Sequence, residues 1–448
     1  MAGRILCLIA ILFGAVPALA QKDGARKDVV VVTSFPNSLS ETFARVFEEE
    51  TPGYRLRILN RKTTAALALL AEGRAEADVF WASAPDAFAI LKAAGLLLPI
   101  QARAAPAGAE IDGYPLDDPD GLFRGFSISG YGIIWNRRRL ADAGIEPPVS
   151  IRELGQPKFR GLIAMSAPSR SGTTHLMVES ILQRYGWHEG WRLWLAIAGN
   201  LANVAARSFS VASGVAQGRY AIGLSIDFLG RGEGSAAEVG VRYPAESMIL
   251  PASIALLRTG ANPEGGERFA RFVLGAKGQR LLASPHIRRD PVMPEIAASL
   301  PPPAWREHAR DTAGRPFDAT LSGQRYELVN LLFDELITDN LARIQQFRAQ
   351  HDRLMAQAGA RGDIQAELAR AADLAATPPE VVDRLQSPGA FPTLRRIPRG
   401  IPPPPKQARF IETIRTAVDE RLRAAEAQLQ QVSRRLDALR AAETGAGR

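Results

Sequence analysis

The sequence predicts an α/β protein of more than one domain, followed by a helical C-terminal region. Apolar, β-branched runs such as residues 29–32 alternate with helix-length segments through the first part of the chain, as in a doubly wound α/β fold. The length of 448 residues exceeds what one domain usually holds, so two or three domains are expected. Three prolines at 301–303 mark a linker, beyond which helical periodicity replaces the alternation.

The composition is that of a soluble globular protein with a mild excess of positive charge. Hydrophobic residues make up 46% and charged residues 23% of the chain. The formal net charge of +8 favours anionic partners. Because the basic residues are scattered and no dense Lys/Arg block is interleaved with aromatic residues, nucleic-acid binding is not predicted.

The N-terminus has the pattern of a secretory signal peptide at residues 1–20. Arg4 precedes a short apolar run, and an Ala-Leu-Ala sequence ends at Ala20, where cleavage is predicted. The apolar run is too short for a standard membrane span, and an uncleaved anchor is the alternative. Cys7, the one cysteine, lies within this peptide, so the mature chain would form neither a disulfide nor a Cys-based metal site. A periplasmic location is therefore expected.

Strand and helix segments alternate in the first domain. They are predicted as strands 29–32, 54–60 and 77–81 and helices 39–50, 63–71 and 88–94. Ligands of such open sheets bind beyond the carboxyl ends of the strands. Ser34 and Ser83 follow the first and third strands and are therefore candidate ligand-binding residues. Ordinary turn chemistry is the alternative role of both serines.

The segment at 167–175 connects an apolar strand to an apolar helical run. Pro168 ends the strand, Gly172 lets the backbone turn, and a helix is predicted to begin near Thr173. A helix start presents unpaired N–H groups and the positive end of the helix dipole, which suits an anion. The candidates in this loop are Ser169, Arg170, Ser171, Gly172, Thr173 and Thr174. An ordinary loop with a capping threonine is the alternative, and His175 is expected to be a packed or surface residue.

Two further strand ends supply charged candidates. Arg207 and Ser208 follow a strand-like run, and a guanidinium there can present its planar fork to a phosphate or carboxylate. Asp227 lies near the end of the strand predicted at 220–228 and can accept a hydrogen bond from a sugar hydroxyl or an amino group. The alternatives are an ion pair between strands for Arg207, and a helix cap or an ion pair with Arg231 for Asp227.

A series of motifs in a fixed order resembles a known family. After the signal peptide come DVFWAS at 78–83, GYGIIWN at 130–136, KFRGLIA at 158–164, SRSGTT at 169–174, VAQGRYAIGLSIDF at 215–228 and SIALL at 253–257. This order resembles the extracellular solute-binding proteins of bacterial ABC importers, in the iron, phosphonate and phosphosugar cluster. The chain looks most like the phosphoglycerate-transport regulatory type, and the resemblance covers roughly residues 28–295.

The resemblance implies a two-lobed periplasmic-binding-protein fold, type II-like, with a C-terminal helical extension. Lobe one is expected at 28–125 with a returning segment at 250–295, and lobe two at 126–249, with hinge closure over the ligand. It also implies an inner-membrane ABC permease as the partner. Ferric-binding relatives carry two adjacent tyrosines where this chain has Asp227 and Phe228, which argues against ferric iron.

The candidate residues favour a small phosphorylated or carboxylated organic anion as ligand, with phosphonates and sugar phosphates left open. No cofactor is predicted, and the five histidines show no metal-ligand spacing. The chain has no G-x-S-x-G nucleophile elbow, no Walker loop and no spaced set of Ser, His and Asp, so it is not expected to be an enzyme.

The remaining chain is predicted to be mostly helical. A helical extension is expected at 304–376, with one long helix at 324–350, then a proline-rich spacer at 377–408 and a C-terminal helix at 409–442. An apolar heptad stripe on this last helix comprises Val418, Leu422, Ala425, Leu429, Val432, Leu436 and Leu439. The stripe indicates either packing within the chain or a coiled-coil partner. The extension also suggests an alternative function, in which a ligand sensor signals occupancy to a membrane regulatory protein.

Overall fold

The structure, a computed structural model, describes residues 26–232, 238–306, 316–387, 390, 392–397 and 401–445. The predicted signal peptide at 1–20, with Cys7, lies outside these residues. Across the described ranges, no helix combines the length and the apolar character needed to cross a bilayer.

Lobe one is built on a sheet in which three parallel strands lie beside two antiparallel ones, in the order β2-β1-β3-β12-β7. The run of valines in β1 is buried or nearly so, as expected for a strand with helices on both faces. The strands are β1 Lys27–Thr33, β2 Tyr54–Asn60, β3 Val79–Ala82, β4 Leu97–Leu98, the hairpin β5 Glu110–Ile111 and β6 Tyr114–Pro115, β7 Arg124–Asn136, and later in the chain β12 Ile249–Leu257 and β13 Asp290–Pro291.

Helices cover this sheet because their apolar side chains recur at helical spacing. In α1, Leu39, Phe43 and Phe47 follow one another four residues apart and are all buried. Phe43 packs edge-on against Trp81 of β3, with ring centroids 5.1 Å apart. The helices of this lobe are α1 Asn37–Glu50, α2 Thr63–Ala71, α3 Pro85–Ala93, α9 Pro263–Leu274, α10 Ala276–Leu282 and α11 Pro294–Ala297.

Lobe two continues from the same long strand. The first half of β7 pairs with β12, and its second half, from Tyr131 onward, pairs with β10 and β11. The strands of lobe two are β8 Ile163–Ser166, β9 Leu201–Ala205, β10 Ile222–Ile226 and β11 Val239–Arg242. Its helices are α4 Arg137–Asp142, α5 Gly172–Tyr185, α6 Trp187–Ala198, α7 Ser208–Ala216 and α8 Asp227–Gly232, with 3-10 turns at Arg152–Gly155, Pro157–Phe159 and Pro168–Arg170. Strand β7 therefore connects the two lobes.

The extension is helical, but the single helix predicted for 324–350 is wrong. A π-helical turn at Asp334–Thr338 separates a helix that ends at Phe333 from one that begins at Leu341. Just after this turn, Asn340 Nδ2 donates to the carbonyl of Glu335 at 2.7 Å. The helices are α12 Ala319–Gln324, α13 Tyr326–Phe333, α14 Leu341–Ala358, α15 Gly362–Ala376, α16 Glu380–Asp383 and α17 Pro405–Gly445. Helix α17 begins within the predicted proline-rich spacer because proline is well tolerated in a first helical turn.

The heptad stripe of α17 packs within the chain. From Val418 to Leu436 its members are at most 1% exposed, whereas Leu439 is 36% exposed. The middle of the stripe shares a buried apolar cluster with Leu354 of α14 and Leu368 of α15. Of the two interpretations of the stripe, packing within the chain is therefore the one that the structure adopts.

Candidate ligand-binding cleft

The carboxyl ends of the strands of both lobes meet at one cleft. In lobe one, the segments after β1, β2 and β3 reach it, and in lobe two the segments after β8, β9 and β10 do. About 450 Å³ of space, including open solvent at its mouth, lies between the walls of the cleft. Its lining residues are Ser34, Phe35, Pro36, Lys62, Thr63 and Ser83 from lobe one and Arg170, Ser171, Gly172, Thr173, Arg207, Ser208, Phe209, Ile226, Phe228 and Leu229 from lobe two.

The cleft is electropositive. Lys62, Arg170 and Arg207 line it, and none of the lining residues in the described chain is acidic. Burial lowers the pKa of Lys62, and the positive charges of Arg207, Arg170 and, from the extension, Arg396 lower it further. Lys62 therefore lies close enough to both arginines of the cleft for them to repel it, and a bound anion would relieve that repulsion.

Three helices begin at the cleft. They are α2 at Thr63, α5 at Gly172 and α7 at Ser208, and they contain nine, fourteen and nine residues. The unpaired N–H groups and positive dipole ends of these helices converge with the three cations. A phosphate or carboxylate would find backbone, hydroxyl and charged donors there.

The loop before α5 is organised by Ser171. Its Oγ accepts a hydrogen bond from the Thr174 backbone N–H at 3.2 Å and lies 2.7 Å from Thr173 Oγ1. The cap of α5 is therefore Ser171, and the alternative of a capping threonine is wrong. The backbone of Gly172 is not left-handed. A Cβ at this position would lie 2.8 Å from Thr63 Oγ1, so glycine is needed for the approach of the two lobes and not for a turn.

The lobes touch each other along the edge of the cleft. Thr64 Oγ1 of lobe one donates to the carbonyl of Ser169 in lobe two at 3.0 Å. Arg207 Nη2 donates to Asn60 Oδ1 across the gap at 3.3 Å, and its guanidinium lies 5.5 Å from the ring centre of Phe209. The arrangement is a closed one.

Most of the predicted site residues are brought together in this cleft. Those that line it are Ser34, Ser83, Arg170, Ser171, Gly172, Thr173, Arg207 and Ser208. Ser34 Oγ accepts from Thr63 Oγ1 at 3.2 Å, which links the segment after β1 to the start of α2. The Arg170 guanidinium donates to the carbonyl of Val204 at 3.2 Å, so it is anchored to its own lobe.

Three predicted residues do not line the cleft. Asp227 is fully buried, and its carboxylate accepts from Gly130 N–H at 3.0 Å and from Tyr243 Oη at 2.8 Å. These bonds hold β7 and the neighbouring strand segment together, so the carboxylate has a structural role. Thr174 is buried behind the loop, and the Ser169 side chain is hydrogen-bonded to Asp334 of the extension.

Sequence reasoning missed two cations. Lys62 follows the carboxyl end of β2, which is the same signal that identified Ser34 and Ser83. Arg289 is 1% exposed and supports the floor of the cleft: it donates to Ser83 Oγ at 2.8 Å and lies 4.2 Å from the ring centre of Phe228. No local signal marks Arg289, because its partners lie far away in the chain.

The cleft is suited to binding an oxyanion and lacks the ligands that a hard metal ion prefers. None of its described lining residues is Tyr, His, Asp or Glu. Nor do the described residues elsewhere contain a group of three or more His, Cys, Asp or Glu placed to hold a metal ion.

Two α/β lobes joined by a crossing strand, with a cleft between them that both lobes line, define a two-lobed binding protein. Comparison with known proteins agrees with this class. The chain belongs to the bacterial extracellular solute-binding protein family, whose model matches residues 76–306. It is 30% identical over 327 residues to the phosphoglycerate transport regulatory protein PgtC of Salmonella typhimurium. The aligned residues make up 72% of this chain and 81% of that protein.

Solved structures show the same fold. The periplasmic binding protein AfuA from Actinobacillus pleuropneumoniae, with exogenous fructose-6-phosphate bound, has a TM-score of 0.59 and 20% identity over 70% of this chain and 99% of that one. The periplasmic binding protein P5PA has a TM-score of 0.58 and 18% identity over 68% and 98% of the two chains. Iron-bound HitA from Pseudomonas aeruginosa has a TM-score of 0.53 and 17% identity over 68% and 99%.

Proposed function

We propose that this protein captures a small phosphorylated or carboxylated organic anion between its lobes in the periplasm and delivers it to the membrane permease of an ABC importer. It acts as a receptor and not as an enzyme. The observation that carries the proposal is the convergence of Lys62, Arg170 and Arg207 with three helix N-termini in a cleft whose described lining contains no carboxylate. Such a site favours an anion, and the family supplies the context of transport.

Two relatives support a phosphorylated ligand. The Salmonella relative is named for phosphoglycerate transport, and the AfuA structure contains fructose-6-phosphate. Iron-bound HitA represents the ferric alternative. Ferric iron is disfavoured for this chain because phenolate and carboxylate oxygens, the hard ligands that it requires, are missing from the described lining of the cleft.

Thermal-shift measurements on the mature protein test the proposal. The compounds are 3-phosphoglycerate, fructose 6-phosphate, a phosphonate and ferric citrate, with glycerate and fructose as controls that lack the phosphate. A ligand at a hundred times its Kd stabilises the native state by about 2.7 kcal/mol, which raises the melting temperature measurably. A rise with a phosphorylated compound and none with fructose is expected. A rise with ferric citrate alone would contradict the proposal.

A second candidate function is favoured by one observation, namely that the helical extension contacts both lobes. His175 of lobe two and Asp86 of lobe one both hydrogen-bond to Ser322 of the extension. A sensor that reports ligand occupancy to a membrane regulatory protein would need such an element. Hydrogen exchange of α12–α17 with and without 3-phosphoglycerate tests it, since a sensor requires exchange in the extension to change when the cleft is filled.

A further inference from the structure

The first two helices of the extension lie across the two lobes. Helix α12 packs against α3 of lobe one, and α13 packs against α5 and the turn Pro168–Arg170 of lobe two. A Cβ on Gly323 of α12 would lie 3.2 Å from Ile90 Cγ1, so the backbone of α12 rests closely on α3. Helices α3 and α5 belong to lobes that must separate if the cleft is to open.

A buried chain of hydrogen bonds runs from one lobe to the other through these helices. Ser322 Oγ donates to Asp86 Oδ2 of lobe one at 3.1 Å and lies 3.3 Å from His175 Nε2 of lobe two. His175 Nδ1 lies 3.0 Å from Asn330 Oδ1 of α13. All four side chains are buried, so in this closed arrangement the chain of bonds is shielded from water.

The attachment to lobe two is the stronger of the two. Arg325 forms a buried ion pair with Glu179 of α5, with bonds of 2.6 and 2.9 Å, and lies 4.8 Å from the ring centre of Trp187. Trp187 Nε1 also donates to the carbonyl of Val382 at 2.7 Å, and Gln345 Nε2 donates to the carbonyl of Leu201 at 2.8 Å. Breaking a buried ion pair leaves uncompensated charge, which is strongly unfavourable.

The attachment to lobe one rests on weaker interactions. They include the hydrogen bond between Ser322 and Asp86, the packing of α12 on α3, and a bond of 3.0 Å from Arg396 Nη1 to Thr64 Oγ1. The Tyr326 ring of α13 is also buried in an apolar cluster with residues of lobe one. Thr64 is also the residue that donates to Ser169 at the edge of the cleft. The contact of Arg396 therefore lies where the two lobes meet.

We propose that the extension is a latch that travels with lobe two and fastens onto lobe one when the cleft closes. Opening then requires the bonds of Ser322 and Arg396 to lobe one to break, while the Arg325–Glu179 pair stays intact. The latch regulates the cleft described above, so its role in ligand exchange rests on the proposed function. Its role in holding the lobes together does not, because Ser322 and Arg396 contact lobe one outside the lining of the cleft.

The test compares a latch variant with a matched control in the full mature chain. The latch variant is Ser322→Ala with Arg396→Met, neither of which lines the cleft. The control is Ser433→Ala with Arg435→Met, which removes the same groups from α17, where Arg435 pairs with Asp363 and Glu367 inside the extension. Arg396→Met alone serves as a milder variant, because Ser322→Ala leaves buried Asp86 and His175 short of a partner.

Lobe separation is measured by the distance between two spin labels. Arg45→Cys on α1 and Arg138→Cys on α4 place them on exposed positions of different lobes, in a mature chain that has no other cysteine if cleavage follows Ala20. Without ligand, we expect one narrow distance in the wild type and the control and an additional longer distance in the latch variants. An unchanged distribution in both latch variants would overturn the proposal.

Ligand exchange provides a second measurement. Stopped-flow experiments with fructose 6-phosphate and 3-phosphoglycerate are expected to show at least tenfold faster dissociation from the latch variant than from the control. If neither compound binds wild type, the proposed function is in question while the label distances still decide the latch. If a compound binds and its dissociation rate is equal in the variant and the control, the latch does not govern exchange.

Discussion

Replacing Arg207 by methionine is expected to weaken anion binding by about ten- to thirtyfold. The guanidinium is half-buried at the start of α7 and donates to Asn60 Oδ1 of the opposite lobe. It therefore contributes both charge for the ligand and a contact that favours closure. Methionine keeps most of the apolar stem beside Phe209, so the substitution removes the charge and the donors with little loss of packing.

The magnitude follows from the cluster of charges. A hydrogen bond to a charged group contributes about 1.5–3 kcal/mol, which corresponds to roughly 12- to 150-fold in affinity. Lys62 and Arg207 repel each other, as the lowered pKa of Lys62 indicates, so part of this loss is returned when one cation is removed. The partial exposure of Arg207 also screens its charge, and both effects place the expected loss at the lower end of the range.

Isothermal titration with 3-phosphoglycerate or fructose 6-phosphate at 0.15 M salt measures the effect. The matched control is Arg61→Met, which removes an exposed cation next to Lys62 that does not line the cleft. Its affinity should remain within about twofold of wild type, because exposed charges are screened over roughly 8 Å at this salt concentration. Equal affinities for Arg207→Met and Arg61→Met would refute the assignment of Arg207 to the site.

Three further substitutions test other parts of the structure. Gly172→Ala places a Cβ 2.8 Å from Thr63 Oγ1, so closure and affinity should fall severalfold, and Thr63→Ala in the same chain should restore part of the loss in the same titration. Burial raises the pKa of Asp86 from 3.8 to about 7, so the folded state keeps a proton that the unfolded state releases, and wild type loses stability as the pH rises from about 4 through 7. The Asp86→Asn variant cannot ionise at this position. Its free energy of unfolding in urea, relative to that of wild type, should therefore rise by about 2–3 kcal/mol from pH 5 to pH 8. If the difference in free energy of unfolding between variant and wild type is equal at both pH values, Asp86 is not protonated in the folded state. Leu429→Ala removes a fully buried side chain of α17 and should cost about 2–5 kcal/mol in the same assay without changing the Kd, whereas loss of binding would show that the cleft depends on this distant packing.

Local patterns in the sequence were sufficient for the elements that build the cleft. The strand Tyr54–Asn60 and the helix Thr63–Ala71 have the predicted bounds, because alternation and helical spacing are properties of a few consecutive residues. The same patterns placed the ends of strands beside Ser34, Ser83 and the loop around Ser171. Since ligands of α/β sheets lie at those ends, the location of the cleft followed from local information.

Residues whose partners lie far away in the chain could not be assigned in this way. Asp227 has the sequence position of a ligand-binding residue, but Gly130 and Tyr243 satisfy its carboxylate. The opposite holds for Arg289, which reaches the floor of the cleft through Ser83, about two hundred residues earlier in the chain. Only the folded arrangement decides which of the available donors and acceptors meet.

The sequence by itself determined the α/β elements, the strand ends that meet at the cleft and the helical character of the extension, while the division into two lobes was implied by the family resemblance. The tertiary structure alone decided that the lobes touch at Gly172, that the long predicted helix breaks near Asn340, and that Ser322 joins Asp86 to His175. The physical reason is the range of the interactions. Periodicity acts between neighbours in the chain, whereas closure and attachment of the extension depend on pairs of groups brought together from different lobes.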